Sequence, residues 1–344
     1  MTSFHARKLL RELGRLKKKV GPLTILTHDH PDPDALASAW ALAHLVKSLC
    51  RVRTRIVYGG VIGRKENRTM AENLEIPASP LRQGELADAD HVALIDTQPP
   101  FRNNRFPRRR RPDIIIDHHP RNPLTQAGLV LIDESVGATS TIMAEALISS
   151  GVRIPRGLAT AIVYGIGSET QNLGRGAGAR DVAAYQAMWP KANMKALWQI
   201  TFPRRHASFF QTLSHAIRNA FICRGIIGVH LGPIPTPDLV AQMADFLMTH
   251  EKMRWSIVTG RYQDRLHVSL RTSDPLADAG RLLKRLLGKN RGGGHPMIAG
   301  GSVDMKENGE IHWRETEEKA AADFLHSVGI KDPAQRSYPF RNSD

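Results

Sequence analysis

LTILTHDHPDPDA, residues 23–35, is the segment from which the fold is predicted. Its first half is a short apolar run typical of a buried strand, and a helical pattern follows over residues 32–49. Asp34 is well placed to cap that helix. Histidines and aspartates therefore stand between a strand and a helix, which is where ligands gather in open α/β sheets.

Three further apolar runs extend this pattern. RTRIVY, HVALID and DIIID predict strands, and residues 137–149 and 155–165 show helical periodicity. These strands alternate with helices and lack the polar residues that a solvent-exposed sheet face would require. The pattern predicts a parallel sheet that is covered by helices on both sides. We therefore predict an α/β fold with a parallel-sheet N-terminal domain.

The second half of the chain predicts a smaller α/β domain. Residues 181–219 are wholly helical in pattern; FICRGIIGVHL, WSIVTGRY and LHVSLRT then indicate strands. The glycine-rich stretch GGGHPMIAGG predicts a turn before a last short strand. The predicted division is a metal-binding catalytic domain at 1–185, a helical linker at 186–219, a substrate-binding domain at 220–330 and a loose tail at 331–344.

Composition narrows the class of protein. The 344 residues carry 48 Lys and Arg against 33 Asp and Glu, a net charge of +15, which favours polyanionic partners such as nucleic acid or nucleotides. With 41% hydrophobic residues the chain can bury a sizeable core, which excludes a disordered tail or a small disulfide scaffold. The apolar runs fall short of the roughly 20 residues of a membrane span, so no membrane partner is predicted.

Two features bear on the compartment. Cys50 and Cys223 are the only cysteines, which predicts two buried thiols in a reducing environment. The basic, amphipathic N-terminus is also typical of a mitochondrial transit peptide. It continues directly into the first predicted strand, so we favour an integral first helix and a cytoplasmic protein.

Four segments carry candidate chemistry: HDHPDPD at residues 28–34, Asp96-Thr97, Asp117-His118-His119 and GIGSET at residues 165–170. Taken singly, each has a structural explanation as a turn, a helix cap or a hydrogen-bonded histidine. Three of them follow predicted strands, however, and would converge on one sheet edge. Crowded carboxylates and imidazoles there would repel or stay unpaired unless cations neutralised them.

Carboxylate with neutral imidazole is the ligand mixture for manganese, magnesium or iron, and no cysteine is placed for a structural zinc. Shared carboxylates suit a two-metal site, which activates water and clamps a phosphate.

In order and spacing, HDHPDPDA, IDT, DHHPRN and GIGSETQNLG resemble the motifs of the DHH phosphoesterase superfamily. RGGGHPMIAGGSV resembles the glycine-rich signature of the DHH-associated C-terminal domain. The resemblance extends over about residues 22–325 and is greatest to the nanoRNase type. Those proteins are oligoribonucleases that also dephosphorylate 3′-phosphoadenosine 5′-phosphate.

The resemblance implies two Mn²⁺ ions, with Mg²⁺ or Co²⁺ as alternatives, and Asp96 as the ligand that bridges them. The implied metal ligands are His28, Asp32, Asp34, Asp96, His118 and Glu169. Glu169 stands where the family usually has Asp. Because Glu is one methylene longer, we expect a displaced ligand rather than an inactive site.

The resemblance also implies how substrate is held. Asp117 would orient His118, and His119 would face the scissile phosphate as the catalytic donor. The implied substrate-binding residues are Asn122, Arg271, Gly293, Gly294 and His295. The glycines also allow a tight structural turn. A run of four arginines, from Arg108 to Arg111, is either solvated surface or a contact to the phosphates of longer nucleic acid, which would weaken with salt.

We therefore predict a metal-dependent phosphodiesterase that hydrolyses short oligoribonucleotides to 5′-mononucleotides and also dephosphorylates 3′-phosphoadenosine 5′-phosphate. A cyclic- or linear-dinucleotide phosphodiesterase would share every catalytic residue. A non-catalytic nucleotide or RNA binder has only Glu169 and the net charge in its favour. The sequence leaves a homodimer open.

Overall fold

The computed structural model of the chain describes residues 4–16, 21–288, 291–294, 296–305 and 309–341. They form two compact units that divide between Arg204 and Arg205. Within these ranges, none of the helices combines the length and the apolar character that a membrane span requires.

A six-stranded sheet forms the centre of the first unit. Its strands are β1 (Leu23–Leu26), β2 (Thr54–Tyr58), β3 (Ala78–Pro80), β4 (His91–Ile95), β5 (Ile114–Asp117) and β6 (Leu129–Ile132). They lie in the order β3-β2-β1-β4-β5-β6, and every neighbouring pair is parallel. The predicted parallel sheet is confirmed; β3 and β6 were not predicted, since β3 has only three residues and no apolar run.

The strands of this sheet are apolar because helices pack on it. The helices are α1 (Phe4–Leu16), α2 (Pro33–Leu45), α3 (Lys65–Asn73), α4 (Glu85–Asp88), α5 (Thr139–Ser150), α6 (Arg156–Glu169), α7 (Ala179–Met188) and α8 (Met194–Thr201). A π-helical turn, Val46–Cys50, continues α2. Eleven of the thirteen residues of α2 are buried, because α5 and α6 pack against it.

The first helix is part of this unit. Ala6, Leu9 and Leu13 are fully buried in the same apolar cluster as α2 and α5. The sulfur of Cys50 donates to the backbone carbonyl of Leu13, 3.1 Å away. Both predicted buried thiols are confirmed, since Cys50 and Cys223 are buried and unbridged.

The second unit contains a mixed sheet. Its strands are β7 (Phe221–Cys223), β8 (Ile226–Pro233), β9 (Trp255–Tyr262), β10 (Arg265–Thr272), β11 (Gly292–Gly294) and β12 (Ile298–Asp304). They lie in the order β11-β12-β10-β9-β8-β7, and only β8 and β9 pair in parallel. Its helices are α9 (Ala207–Asn219), α10 (Asp238–Leu247), α11 (Ala279–Leu287) and α12 (Glu310–Ser327). The predicted α/β fold class is confirmed in both units.

The structure corrects three local predictions for this unit. The stretch FICRGIIGVHL is a hairpin rather than one strand, because Arg224 and Gly225 turn the chain with φ of 45° and 80°. The predicted glycine turn is wrong at residues 292–294, which pair with β12 as a strand. Ser337 and Ile222 exchange two backbone hydrogen bonds, so the predicted loose tail is held against β7 at that point.

Candidate metal centre

The strand order of the first sheet changes direction at its centre. β1 and β4 lie side by side, and the chain proceeds from them towards opposite edges of the sheet. Loops diverge at such a point and leave room for a ligand. His28 follows β1, Asp96 follows β4 and Asp117 ends β5, so the topology brings the predicted segments together.

Two groups of potential metal ligands share one carboxylate. In the first group, His28 Nε2 lies 3.6 Å from Asp32 Oδ2 and 3.6 Å from Asp96 Oδ2. In the second, Asp96 Oδ1 lies 3.7 Å from His118 Nε2 and 3.7 Å from His119 Nδ1. Within each group all the ligand atoms lie within 4.8 Å of one another. Asp96 thus occupies the position that a bridging ligand requires.

The backbone at Asp96 is strained. Asp96 has a φ of 58° directly after β4, a left-handed conformation that non-glycine residues adopt at a cost of about 1–3 kcal/mol. Its side chain is 2% exposed, and its Oδ1 accepts a hydrogen bond from Thr139 Oγ1 at 2.7 Å. Surrounding structure therefore holds the shared carboxylate in place.

Asp32, and not Asp34, caps α2. Asp32 Oδ1 accepts from the backbone N–H three residues on at 2.9 Å, as a residue just before the first helical position can. Asp34 instead accepts hydrogen bonds from the backbone N–H groups of Thr139 at 2.8 Å and Ser140 at 2.7 Å. Asp34 Oδ2 lies 4.0 Å from His118 Nε2. The first turn of α5 thus holds Asp34 beside the second ligand group.

Glu169, at the end of α6, also lies beside the ligand groups, although neither group includes it. Burial and then the charges of Asp32, Asp34 and Asp96 raise the pKa of Glu169 to about 8. Such an interaction requires the carboxyl group to be close to theirs. The longer side chain is thus near the centre but outside the tightest sets of ligand atoms.

Asp117 orients His119 rather than His118. The buried Asp117 Oδ1 lies 2.8 Å from His119 Nδ1 and accepts from the backbone N–H of His119 at 3.2 Å. The prediction that Asp117 orients His118 is wrong, because the chain turns after β5 and brings the ring two residues on over the carboxylate. His118 Nε2 faces Asp34 and Asp96 instead.

Sequence analysis missed Gln98. This fully buried amide donates from Nε2 to Asp117 Oδ2 at 2.7 Å and to the Pro120 carbonyl at 3.2 Å. Its Oε1 accepts from the Asn122 N–H at 2.9 Å and the Thr125 hydroxyl at 2.8 Å. Gln98 therefore ties the β4 and β5 ends together, and its position just after IDT was the only signal in the sequence.

The donor set fits divalent cations. His118 Nε2 is buried and has no hydrogen-bond partner among the described residues, although it faces two carboxylates. Burial raises the pKa of Asp96 well above its usual range. Burial by itself lowers the pKa of His28, but Asp32 and Asp96 raise it to about 10. Without a cation, these groups have to share protons; oxygen and imidazole donors in this arrangement suit Mn²⁺ or Mg²⁺.

The predicted substrate residue of the first unit lies in a turn beside the centre. Asn122 Oδ1 accepts from the backbone N–H of Leu124 at 2.9 Å, which closes that turn. Its backbone N–H is bonded to Gln98. The structure thus explains the position of Asn122, and its contact with substrate stays a prediction.

The structure gives the surroundings of three predicted substrate-binding residues of the second unit. Arg271 is 5% exposed; its guanidinium pairs with Asp245 and donates to Ser269 Oγ at 2.6 Å. Gly293 and Gly294 lie in β11, and His295 lies outside the described residues. Their roles in substrate binding stay predictions.

The arginine run divides into two pairs. Arg110 donates to the backbone carbonyls of Leu86 and Ala89 at the end of α4, and Arg111 to that of Ala127. Arg108, Arg109 and Arg111 are exposed, and Arg110 is half-buried. Two of the four arginines therefore support the loop itself.

Two family models match this chain. The DHH family N-terminal domain matches residues 22–166, and the DHHA1 domain matches residues 224–321. The uncharacterized protein MJ1633 of Methanocaldococcus jannaschii is 32% identical over 326 residues, which is 92% of this chain. The chain spans 66% of the length of that relative.

Solved structures share the fold. An exopolyphosphatase-related protein from Bacteroides fragilis has a TM-score of 0.72 at 14% identity, over 95% of this chain and 98% of its own. RecJ of Thermus thermophilus, in complex with Mn²⁺, has a TM-score of 0.51 at 14% identity, over 95% of this chain and 55% of its own. The matched family models identify residues 22–166 as a DHH family N-terminal domain and residues 224–321 as a DHHA1 domain that follows it.

Proposed function

We propose that this protein is a divalent-metal-dependent phosphoesterase that hydrolyses short oligoribonucleotides to 5′-mononucleotides. The observation that supports this most directly is Asp96, whose two carboxylate oxygens belong to two separate groups of ligand atoms. A shared carboxylate is the feature expected of a two-metal phosphoesterase centre. The net charge of +15 supports a polyanionic substrate.

The ligand groups suggest how two ions would be held. His28, Asp32 and Asp96 would hold one ion, and Asp96 and His118 would hold the second together with Asp34 and Glu169. When bound, such ions lower the pKa of a water molecule and offset charge on phosphate oxygens. Mn²⁺ is the ion we propose, supported by the RecJ structure of similar fold, which contains Mn²⁺.

His119 is proposed as the donor to a phosphate oxygen. Its Nδ1 lies 2.8 Å from Asp117 Oδ1, and this contact fixes the orientation of the ring beside the ligand groups. Gln98 holds that carboxylate from the other side, which restricts how the pair can turn. The same centre would serve a second activity on 3′-phosphoadenosine 5′-phosphate, because a terminal phosphate needs the same donors.

The test is Mn²⁺-dependent release of AMP from the dinucleotide pApA. Longer RNAs, 3′-phosphoadenosine 5′-phosphate and a cyclic dinucleotide are compared in parallel. Asp96→Asn and an Asp117→Ala, His118→Ala double variant serve as blanks, and Asp88→Asn, at an exposed site on α4, is the matched control. We expect pApA to be cleaved fastest and Asp96→Asn to lose about a hundredfold or more, with Asp88→Asn unchanged.

Other outcomes have defined meanings. Faster cleavage of the cyclic dinucleotide would replace the proposal with a cyclic-dinucleotide phosphodiesterase. Bound Mn²⁺ without turnover of any of these substrates would favour the binding-only interpretation. Equal rates for Asp96→Asn and the unaltered protein would place the activity elsewhere.

A further inference from the structure

The first unit has a cavity at the opposite end of α2 from the metal centre. It measures about 650 Å³ and is lined by the later part of α2, the π-helical turn and the start of β2. At about 1.5 Å per helical residue, its lining begins roughly 10 Å along α2 from Asp34. The volume is in the range of about 300–1,000 Å³ that small-molecule sites occupy.

The Lys and Arg side chains that line this cavity have no acidic neighbour in the lining. Lys47, Arg51 and Arg53 line it, and all three are exposed. The lining residues include no Asp or Glu. Among the described residues, none of the three cations forms an ion pair with a carboxylate, whereas the nearby Arg55 pairs with Glu85. Unpaired guanidinium and ammonium groups around a concave surface favour binding of a phosphate.

The remaining wall is aromatic and apolar. Trp40 is half-buried, and Val52, Ile56 and Pro77 contribute apolar surface next to it. Indole rings stack on nucleobases, and such stacking is worth about 1–3 kcal/mol per base. An aromatic wall beside three cations matches a ligand with a planar base at one end and a phosphate at the other.

Helix electrostatics alone do not explain this arrangement. Cations near a helix C-terminus interact favourably with its partial negative charge of about half a unit, which accounts for Lys47 and Arg51. Arg53 lies beyond the helix, before the first residue of β2, so it lies outside that explanation. Three full positive charges also exceed the half charge of the helix end, and the cavity still attracts an anion.

The backbone at the cavity departs from regular geometry. Val46–Cys50 form a π-helical turn, and Arg51 follows with a left-handed φ of 57°. π-turns and left-handed non-glycine residues carry an energetic cost and are concentrated at functional sites. Here they end α2 directly before Val52 and Arg53, which also line the cavity.

We propose that this cavity is a second nucleotide-binding site, with Trp40 against the base and Lys47, Arg51 and Arg53 around the phosphate. The ligand is either a free mononucleotide or the 5′-phosphorylated end of a short strand. The site shares no residue with the metal centre, so it does not depend on the hydrolytic activity proposed above.

The test measures binding by calorimetry on the full chain, with a chelator present. Under these conditions the carboxylate-rich metal centre repels phosphate, and the part of the binding that the cavity variants remove reports the cavity. The probes are AMP, adenosine, inorganic phosphate and the 5′-phosphorylated trinucleotide pApApA. The variants are Arg51→Gln with Arg53→Gln, and Trp40→Leu. The control removes two exposed arginines of the second unit, Arg218→Gln with Arg285→Gln.

We expect AMP to bind more tightly than adenosine or phosphate, and the Arg51→Gln, Arg53→Gln variant to weaken AMP about tenfold or more. Trp40→Leu should weaken AMP but leave phosphate unchanged, and the control should match the unaltered protein. Tighter binding of pApApA than of AMP assigns the site to a strand end, and equal binding assigns it to a mononucleotide.

Two results would overturn the proposal: absence of AMP binding, or an AMP affinity that the double arginine variant leaves unchanged. Trp40 packs against the core, so Trp40→Leu could disturb folding. Arg51 and Arg53 are exposed, so the double arginine variant should fold normally and keeps the test decisive. Loss of RNA hydrolysis in the earlier experiment would leave this proposal intact.

Discussion

At the residue scale, Asp96 combines strain with charge. It has a left-handed φ of 58°, it is 2% exposed, and its oxygens belong to both ligand groups. Burial raises the pKa of Asp96 well above its usual range, so the metal-free centre resists ionisation. A cation that replaces the shared protons would relieve both the desolvation and the repulsion.

Metal binding should therefore release protons. Burial and neighbouring carboxylates raise the pKa of Glu169 to about 8; burial alone would lower the pKa of His28, but Asp32 and Asp96 raise it to about 10. Each group holds its proton below its raised pKa, so protons compete with Mn²⁺ more strongly as the pH falls. We expect about one or more protons released per chain at about pH 7, and Mn²⁺ affinity that rises from about pH 6 to 9.

The measurement is calorimetric titration of Mn²⁺ in buffers of different ionisation enthalpy. Glu169→Gln, which has no proton to lose, is expected to release fewer protons. Identical heats in every buffer, or an affinity independent of pH, would contradict the shared-proton description of the centre.

Gln98 offers a second test at this scale. Gln98→Leu keeps the approximate size but leaves Asp117 Oδ2, the Asn122 N–H and the Thr125 hydroxyl without their buried partner. We expect the free energy of unfolding to fall by about 1–3 kcal/mol, and phosphoesterase activity to fall about tenfold or more. Denaturant unfolding and pApA hydrolysis measure the two effects. Gln83→Leu, at an exposed position, is the matched control, and the same behaviour in both variants would remove Gln98 from the centre.

At the element scale, close backbone packing around β11 explains Gly280, Gly294 and Gly301. A Cβ on Gly280 of α11 would lie 2.5 Å from the Gly294 carbonyl oxygen, and one on Gly301 of β12 would lie 2.5 Å from that of Arg291. Gly294 has a φ of 151°, where a side chain would collide with the Ile298 carbonyl. Helix, strand and strand approach so closely here that only glycine fits.

Gly280→Ala should therefore destabilise the second unit. Because its new methyl group meets backbone, which cannot move aside cheaply, we expect a loss of about 1–3 kcal/mol in the free energy of unfolding. Gly300→Ala, with nothing within 4 Å of the added Cβ, should change it by only about 0.5 kcal/mol. Thermal and denaturant unfolding measure the difference, and equal stability of the two variants would reject the packing explanation.

At the scale of the whole molecule, the net charge of +15 favours binding of nucleic acid, and the question is which arginines can contact its phosphates. Arg110 and Arg111 donate to backbone carbonyls of their own unit, which leaves the exposed Arg108 and Arg109 as the members available to a strand. A phosphate contact to single-stranded RNA changes the slope of log affinity against log salt by about 0.7.

Arg108→Gln with Arg109→Gln should flatten that slope by about 1.4 for an RNA long enough to reach the loop. Binding measured by fluorescence anisotropy across a salt series gives the slope. The Arg218→Gln, Arg285→Gln variant removes the same charge from the second unit and should behave like the unaltered protein. An unchanged slope in the Arg108→Gln, Arg109→Gln variant would make the run a solvated surface.

The α/β class, the parallel first sheet and the crowding of acids and histidines at one edge follow from the sequence alone. These features depend on local sequence. A continuous apolar run predicts a strand that is buried on both faces. Because parallel strands end at the same edge of a sheet, the residues at their ends lie at that edge. LTIL, HVALI and IIID are strands for that reason, and His28, Asp96 and Asp117 follow or end them.

The hydrogen-bond partner of each of these residues depends on how distant parts of the chain pack together. Asp34 is held by amides 105 and 106 residues away, and Gln98 reaches Asp117 from a different strand. Asp117 contacts His119 rather than His118 because the turn after β5 directs the two rings differently. The periodicity of a sequence predicts the type of each element and which of its faces is buried. A side-chain hydrogen bond depends instead on where two elements meet after they pack.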